Sequence, residues 1–219
     1  MGYIHLKEIQ NSPKFGKVLP VDFNYNGSKI QFYPTDEIFS EVEDYFIKKE
    51  SPDYIWLKGI NDLGLFSGFK RLLNKMKETF PNQKVGAYVN CSLLQHAKVR
   101  KVLSTCNLIV INLNTINPST FHKACICNED VNVQDIMDGI KSFRKEFYGY
   151  FSIYTMFLKD INDNLEDVIA LKNYLLEVNP DHFSVNIFTG KGFEPVSAEF
   201  KMRVKEILNN LPFDVSFTF

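Results

Sequence analysis

The fold of this chain is decided by residues 84–113, which begin Lys84-Val-Gly-Ala-Tyr-Val-Asn90 and end Leu108-Ile-Val-Ile-Asn-Leu113. Both short apolar runs predict strands, and the spacing of apolar residues near 96–105 predicts a helix between them. An almost unbroken apolar run such as 108–113 is typical of a parallel strand buried on both faces. The stretch therefore predicts one strand–helix–strand unit of a parallel sheet.

The same alternation extends in both directions from this unit. Strands are predicted at residues 18–25, 54–58, 85–90, 108–113, 150–158, 182–188 and 213–219. Helices are predicted at residues 35–49, 67–80, 96–105, 135–147, 165–178 and 198–211. Repeated βα units form parallel sheets, so we predict an α/β fold. It is a single domain over residues 1–219, a partial (β/α) TIM-type barrel with about six to seven mainly parallel strands and alternating helices.

Composition limits the classes of partner. The 25 basic and 26 acidic residues give a net charge of −1, so no overall field favours nucleic acid or an anionic membrane. No apolar run reaches the roughly 18–20 residues of a membrane span, and the amino terminus lacks a signal-peptide core. We expect a cytoplasmic protein whose partner is another protein or a small-molecule ligand, with no nucleic acid and no membrane.

Candidate binding residues follow from the predicted strands. Ligands of such folds collect at the carboxyl ends of the strands, where the βα loops converge. The residues at these ends are mostly amides and carry little charge, and the candidates are Asn61, Asp62, Asn90, Asn112, Asn114, Thr155 and Asn186. Phe66, Phe157 and Phe188 lie near enough to strand ends to close the mouth with their rings. An open polar mouth favours ligand binding, whereas a closed one favours a scaffold.

The four cysteines have no spacing typical of a disulfide framework, so reduced thiols are expected. Cys91, at a strand end, is the candidate catalytic nucleophile, with His96 or His122 as its base. The competing and favoured interpretation is a small buried residue. Cys125 and Cys127 are predicted in a half-exposed loop. The histidines are scattered, and we predict no metal site.

The order of several motifs resembles one branch of the radical S-adenosylmethionine (SAM) enzymes. The series comprises Val89-Asn90-x-Ser-Leu-Leu94, Asn107-Leu-Ile-Val-Ile-Asn-Leu113, Pro118-x-Thr-Phe121 and Ile136-x-x-Gly-Ile140. In this family a C-x-x-x-C-x-x-C loop after the first barrel strand holds a 4Fe–4S cluster. A Gly-Gly-Glu-like turn after the second strand binds the amino group of SAM. The resemblance thus implies a barrel and a cofactor site.

This chain departs from the family at those sites. Residues 15–30 contain no cysteine, Gly59-Ile-Asn-Asp62 replaces the glycine-rich turn, and Asn90-Cys91 replaces the usual Asn-Gly. We expect a degenerate, non-catalytic member, a pseudoenzyme that binds a ligand or a partner, with no cofactor of its own. Two alternatives stay open. One is an enzyme that keeps SAM or a nucleotide without its own cluster, and the other is a radical SAM enzyme whose cluster is completed by another chain.

Overall fold

A computed structural model describes residues 10–22, 35–49, 51–60, 63–125, 131–190 and 194–219. One sheet of eight strands organises them, in the spatial order of the sequence. The strands are β1 (Gln10–Ser12), β2 (Gly16–Asp22), β3 (Tyr54–Ile60), β4 (Lys84–Asn90), β5 (Leu108–Asn112), β6 (Tyr150–Phe157), β7 (His182–Ile187) and β8 (Asp214–Phe217). Strands β2 to β8 run parallel, while β1 pairs antiparallel with β2.

Helices connect the parallel strands. They are α1 (Thr35–Lys48), α2 (Leu63–Thr79), α3 (Ala97–Leu103), α4 (Pro118–Ala124), α5 (Val133–Glu146), α6 (Leu165–Val178) and α7 (Ala198–Leu208), with a short 3-10 helix at Cys91–Gln95. The arrangement is a curled half-barrel, which confirms the predicted α/β partial TIM-type fold. No helix within the described ranges is long and apolar enough to cross a membrane.

The two faces of the sheet have different chemistry, because successive side chains of a strand point to opposite faces. In β5, Ile109 and Ile111 are fully buried and belong to the main hydrophobic core. Val110 and Asn112 point to the concave side and line a cavity. The apolar positions of each parallel strand therefore fix which face the helices cover. The alternate positions face the concave side, which we call the lumen.

Helix α4 was not predicted, because residues 117–119 were interpreted as a turn only. Pro118 occupies the first turn of this helix, and the Asn117 side chain accepts a hydrogen bond from the Ser119 amide at 3.0 Å. An asparagine cap followed by proline is a favourable helix start. The helix also corrects the loop predicted around Cys125. This residue caps the carboxyl end of α4 and is 3% exposed.

Strand β1 was not predicted either. Its three residues pair antiparallel with β2, Gln10 opposite Val18 and Ser12 opposite Gly16. The turn between them begins the floor of the lumen, because Phe15 makes edge contacts with the rings of Tyr54 and Tyr150. The amino-terminal end of the barrel is thus closed by aromatic packing.

Candidate functional site: the lumen of the half-barrel

A cavity of about 630 Å³ lies on the concave face of the sheet. Its walls come from inward-facing residues of strands β2 to β7, and β1 with Phe15 adds the lower edge. Pockets that bind small molecules commonly have about 300–1,000 Å³ and combine apolar walls with a few polar groups. Size and lining therefore make the lumen the candidate binding site.

One wall of the lumen is aromatic. The indole of Trp56 lies against β4 at Gly86, where an added Cβ atom would come within 2.5 Å of the indole. Glycine is therefore required for this close approach. The rings of Tyr88 and Tyr154 meet edge to face, with centroids 6.1 Å apart. Three aromatic rings thus line one cavity.

The two tyrosines lie beside asparagines and stay neutral. Asn112 Nδ2 donates to Tyr88 Oη at 3.1 Å, and Asn186 lies near the Tyr154 hydroxyl. Burial raises the pKa of Tyr88 to about 12 and also raises the pKa of Tyr154. Neither hydroxyl is therefore an anion at neutral pH, and both present hydrogen-bonding groups to a ligand.

Lys58 brings a positive charge to the lumen. It lies on β3 just before Gly59, whose positive φ of 87° accompanies a register shift against β4. The Lys58 side chain is half-buried and lines the cavity, and it has no ion pair with any described residue. The lumen thus combines aromatic rings with a cation that has no ion-pair partner among the described residues. The sequence had indicated a mouth poor in charge.

Lower in the lumen, a row of polar side chains crosses three strands. His182 Nδ1 lies 2.9 Å from Ser152 Oγ, and His182 Nε2 lies 2.9 Å from Ser216 Oγ. Burial and, secondarily, the charge of Lys14 lower the pKa of His182. A neutral ring with one donor and one acceptor nitrogen suits two hydroxyl partners. The row therefore fixes the floor of the cavity.

The predicted binding residues fall into different places. Asn112 lines the cavity, and Asn186 reaches it through Tyr154. Asn90 is 7% exposed, and its side chain caps the 3-10 helix by accepting from Ser92 N at 3.0 Å. Asn61 and Asp62 lie outside the described residues. Their role in binding SAM or another ligand stays a prediction.

Asn114 and Thr155 serve the backbone beside the lumen. Asn114 Nδ2 donates to Ala124 O at 2.5 Å, and its Oδ1 accepts from Met156 N at 2.9 Å. Thr155 is fully buried and donates to Leu113 O at 2.6 Å. These groups hold the upper ends of β5 and β6 together. Neither residue lines the cavity.

Phe157 and Phe188, two of the three predicted aromatic plugs, do not line the lumen. Phe157 lies on the helix-facing side of β6, is 1% exposed, and contacts the ring of Phe200 on α7. Phe188 is half-buried and does not line the cavity, and the side chain of Phe66 lies outside the described part of the chain. The prediction for Phe157 is wrong because odd-numbered residues of β6 face the helices. The lumen instead receives Tyr154 and Met156.

The described cysteines do not fit a 4Fe–4S cluster, which needs three thiolates in one place. Cys91 directly follows β4 and Cys125 caps the end of α4, and both are buried. Cys106 precedes β5 at the opposite end of the sheet, roughly 20 Å away at about 3.3 Å per strand residue. Across the described ranges, no group of three or more His, Cys, Asp or Glu residues is placed to hold a metal ion.

Most residues that form the lumen were missed from the sequence. They are inward-facing residues in the middle of strands, whereas the prediction considered strand ends only. The sequence carried a signal for these residues, because polar or large aromatic side chains alternate with apolar ones along the strands. Examples are Trp56 and Lys58 in β3, and Ser152 and Tyr154 in β6. Such interruptions mark the face of the sheet that is not packed against helices.

Comparisons with curated proteins give partial matches. No protein-family model matches the chain. It is 27% identical over 158 residues to the GTPase Obg of Brachyspira hyodysenteriae, covering 72% of this chain and 23% of that protein. It is 25% identical over 142 residues to a UPF0026 protein of Synechocystis sp., covering 65% of this chain and 52% of that protein. A UPF0026 protein of Methanocaldococcus jannaschii is 21% identical over 158 residues, covering 71% of this chain and 49% of that protein. The chain spans about half, or less, of the length of these relatives.

Solved structures resemble the half-barrel over 74–96% of the chain. A radical SAM methyltransferase from Sphaerobacter thermophilus superposes with a TM-score of 0.72 at 12% identity, over 96% of this chain and 68% of that chain. A domain of pyruvate-formate lyase-activating enzyme from Bacteroides vulgatus has a TM-score of 0.57 at 15% identity, over 74% of this chain and 99% of that chain. Methylornithine synthase has a TM-score of 0.57 at 12% identity, over 80% of this chain and 52% of that chain. These likenesses show the fold, and the fold is that of radical SAM enzymes.

Proposed function

We propose that this chain is a radical-SAM-like half-barrel that binds a small molecule in its lumen and carries no 4Fe–4S cluster of its own. Its ligand joins a planar ring to an anionic group, and binding rather than catalysis is the function. The observation that carries the proposal is the meeting of Trp56, Tyr88 and Tyr154 with Lys58 in one cavity.

The aromatic wall selects for a ring. Aromatic side chains gain from offset-stacked and edge contacts with a second ring, beyond the area that is buried. Trp56 packs closely against Gly86 and lines the cavity, so its indole is held in place at the wall. Tyr88 is fixed by the hydrogen bond from Asn112, and the ring of Tyr154 packs edge to face against the ring of Tyr88. A planar ligand therefore meets surfaces that lose little freedom on binding.

The Lys58 ammonium selects for an anion. The Lys58 charge is half-buried and has no ion-pair partner within the described ranges, so burial has removed part of its hydration without a compensating charge from them. A carboxylate, sulfonate or phosphate on the ligand supplies a charge-assisted hydrogen bond in that position. The neutral row of Ser152, His182 and Ser216 lies deeper in the lumen and adds hydrogen bonds without a second charge.

The positions of the cysteines are the reason why we propose that the chain has no 4Fe–4S cluster of its own. Residues 1–90 contain no cysteine, so the loop that follows β2 supplies no thiolate. The buried Cys91, Cys106 and Cys125 lie at two ends of the sheet. A cluster in this chain would need ligands from elsewhere.

A matched pair of dyes tests the proposed ligand class. Anilinonaphthalene sulfonate carries a planar naphthalene ring and an anionic sulfonate, and phenylnaphthylamine has the same ring system without the charge. Trp56 is the single tryptophan, so quenching of its emission reports binding in the lumen directly. We expect saturable quenching, with the anionic dye bound at least about tenfold more tightly, or about 1.4 kcal/mol. Equal affinities for the two dyes, or dye binding without quenching, would overturn the proposal.

The SAM-binding alternative is favoured by one observation, the TM-score of 0.72 with a radical SAM methyltransferase. A thermal-shift titration with SAM and nucleotides separates it from the main proposal, because any ligand of the folded state raises the melting temperature. Stabilisation by SAM supports a retained cofactor site. The third candidate, a cluster completed by another chain, agrees with the partial coverage of the curated relatives, 23–52% of their lengths.

A further inference from the structure

Charge is distributed unevenly along this chain. Residues 63–128 contain nine basic residues and one acidic residue, Glu78, whereas the rest of the chain contains 16 basic and 25 acidic residues. The segment therefore has a formal charge of +8 and the remainder one of −9, which nearly cancel in the net charge of −1. A near-neutral total thus conceals one strongly basic segment, which contains α2, α3 and α4.

Helix stability does not explain this distribution. The helix dipole favours acidic residues in the first turn, and α1, α5, α6 and α7 each have at least one there. Helices α2, α3 and α4 have none. Lys98 even lies in the first turn of α3, where the dipole opposes a positive charge. The basic character of these helices therefore calls for a reason outside the helices themselves.

Four lysines of this segment gather around the loop that joins α3 to β5. Lys77, near the end of α2, donates to the carbonyl oxygen of Thr105 in this loop. Lys84 begins β4, and the second residue of β4 is hydrogen-bonded to the end of the same loop. Lys98 and Lys101 lie one turn apart on the exposed side of α3, just before the loop. We call Lys77, Lys84, Lys98 and Lys101 the basic surface.

The carboxylates that pair with cations of this segment lie beside the basic surface. Arg71 and Lys75 pair with Asp36 on the α1 side of α2. The Nε atom of Arg100 lies 3.6 Å from Glu146 Oε2 on the α5 side of α3. The four lysines of the basic surface have no ion pair with any described residue, and three of them are exposed. Their charge is therefore open to an anionic partner.

We propose that the basic surface binds the phosphate backbone of a nucleic acid without reading its base sequence. Interfaces with nucleic acid are much more positively charged than protein–protein interfaces, whose buried centre is apolar and depleted of charge. Within the described part of residues 63–128 no large apolar side chain is exposed, so the surface fits the first class and not the second. Lysine ammonium groups bind phosphates as point charges, and phosphate contacts carry no sequence information.

The total charge of −1 was the reason for expecting no nucleic acid, but a total does not describe one local surface. Binding to the phosphate backbone depends on how many phosphates the individual lysines neutralise. The lysines of α2 and α3 lie on the helix-covered side of the sheet. Binding of nucleic acid there is therefore independent of any ligand in the lumen.

Fluorescence anisotropy of the full chain with a short labelled DNA duplex and a short labelled RNA strand tests this proposal. With four phosphate contacts, the logarithm of the binding constant should fall against the logarithm of the salt concentration with a slope of about −3.6 for the duplex and about −2.8 for the single strand. Lys98→Gln combined with Lys101→Gln should weaken binding about tenfold or more and halve the slope. The matched control is Lys172→Gln combined with Lys201→Gln, which removes the same charge from α6 and α7.

Three results would overturn the proposal. The first is the lack of an anisotropy change with either nucleic acid at low salt. The second is an equal loss of binding in the two double variants, since only the net charge would then matter. The third is tighter binding of polyglutamate than of either nucleic acid, which would assign the surface to an acidic protein. Circular dichroism checks that each variant is folded, and the single variants Lys98→Gln and Lys101→Gln replace the double variant if it is not.

Discussion

The Nζ atom of Lys14 lies 2.8 Å from the Oδ2 atom of Asp214, although the residues are 200 positions apart. Lys14 belongs to the turn between β1 and β2, and Asp214 begins β8, so the contact joins the two ends of the sheet order. The same ammonium lies 4.6 Å from the centroid of the Tyr150 ring. The sheet therefore curls until its first and last strands approach each other, and Lys14 helps to close the floor of the lumen.

The Lys14–Asp214 pair should make the stability of the fold depend on pH in the acid range. Hydrogen bonding and charge from Lys14 lower the pKa of Asp214 from its ordinary 3.8. A lowered carboxyl pKa contributes stability above the unfolded-state value, and this contribution is lost as pH falls through the folded-state value. We expect Asp214→Asn to lower the melting temperature slightly at neutral pH, because both side chains are exposed.

The difference in melting temperature between Asp214→Asn and the unaltered protein should shrink as the pH falls below about 4. Asp44→Asn, which removes an exposed pair within α1, is the matched control. A difference that stays constant down to the lowest pH at which the protein folds would contradict the proposed role of the pair.

His182 should make the protein less stable in mild acid. Burial and Lys14 lower the pKa of His182 from 6.5, so the unfolded chain binds a proton more readily than the folded chain. The contribution of His182 to the free energy of unfolding is then fully present above about pH 6.5. It is lost progressively as the pH falls from there towards the folded-state pKa. His182→Gln keeps hydrogen-bonding groups but cannot titrate. Urea unfolding between about pH 5 and 8 should show a flatter profile for His182→Gln than for His96→Gln, and equal profiles would refute this assignment.

Gly86 should be needed for the aromatic wall. In Gly86→Ala the new Cβ atom would stand 2.5 Å from Trp56 Cε3, so the indole must leave its position on β4. We expect a shift in tryptophan emission, weaker dye quenching and a loss of about 1–3 kcal/mol in unfolding free energy. Ala170→Ser on the exposed face of α6 is the control. Unchanged emission of Trp56 in Gly86→Ala would show that the wall is formed differently.

Lys58 should determine the charge preference of the lumen. Lys58→Met removes the cation and keeps most of the side-chain volume, so the affinity for anilinonaphthalene sulfonate should fall about tenfold or more while that for phenylnaphthylamine is kept. Lys58→Arg should retain the preference. Lys70→Met removes an exposed lysine of α2 and serves as the control. An equal loss for both dyes in Lys58→Met would point to a packing defect in place of a lost ion pair.

The sequence predicted the parallel strands because their helix-facing residues are apolar at every second position, as in Ile109 and Ile111. It did not reveal β1, because three residues held by one antiparallel pairing carry too little periodicity. It placed Phe157 in the mouth because closeness to a strand end was considered without the face to which the residue points. Side chains alternate between the two faces along β6, and this alternation places Phe157 on the helix-facing side, in contact with Phe200.

The candidate site was only partly predictable for a similar reason. Asn112 was identified because it ends an apolar strand, and it does line the cavity. Asn114 had the same signature, yet its amide is occupied by Ala124 and Met156. The buried position of Cys125 depends on α4, whose seven residues and asparagine cap were interpreted as a turn. Contacts between distant segments of this kind follow from the fold and not from local spacing.

The central claim is that this half-barrel holds no 4Fe–4S cluster of its own, and anaerobic reconstitution with iron and sulfide tests it most directly. After removal of unbound metal, iron and sulfide are measured per chain together with the visible absorbance of the protein. The thiol positions predict a colourless protein with far less than one iron per chain. A brown protein with about four iron and four sulfide per chain would contradict the account.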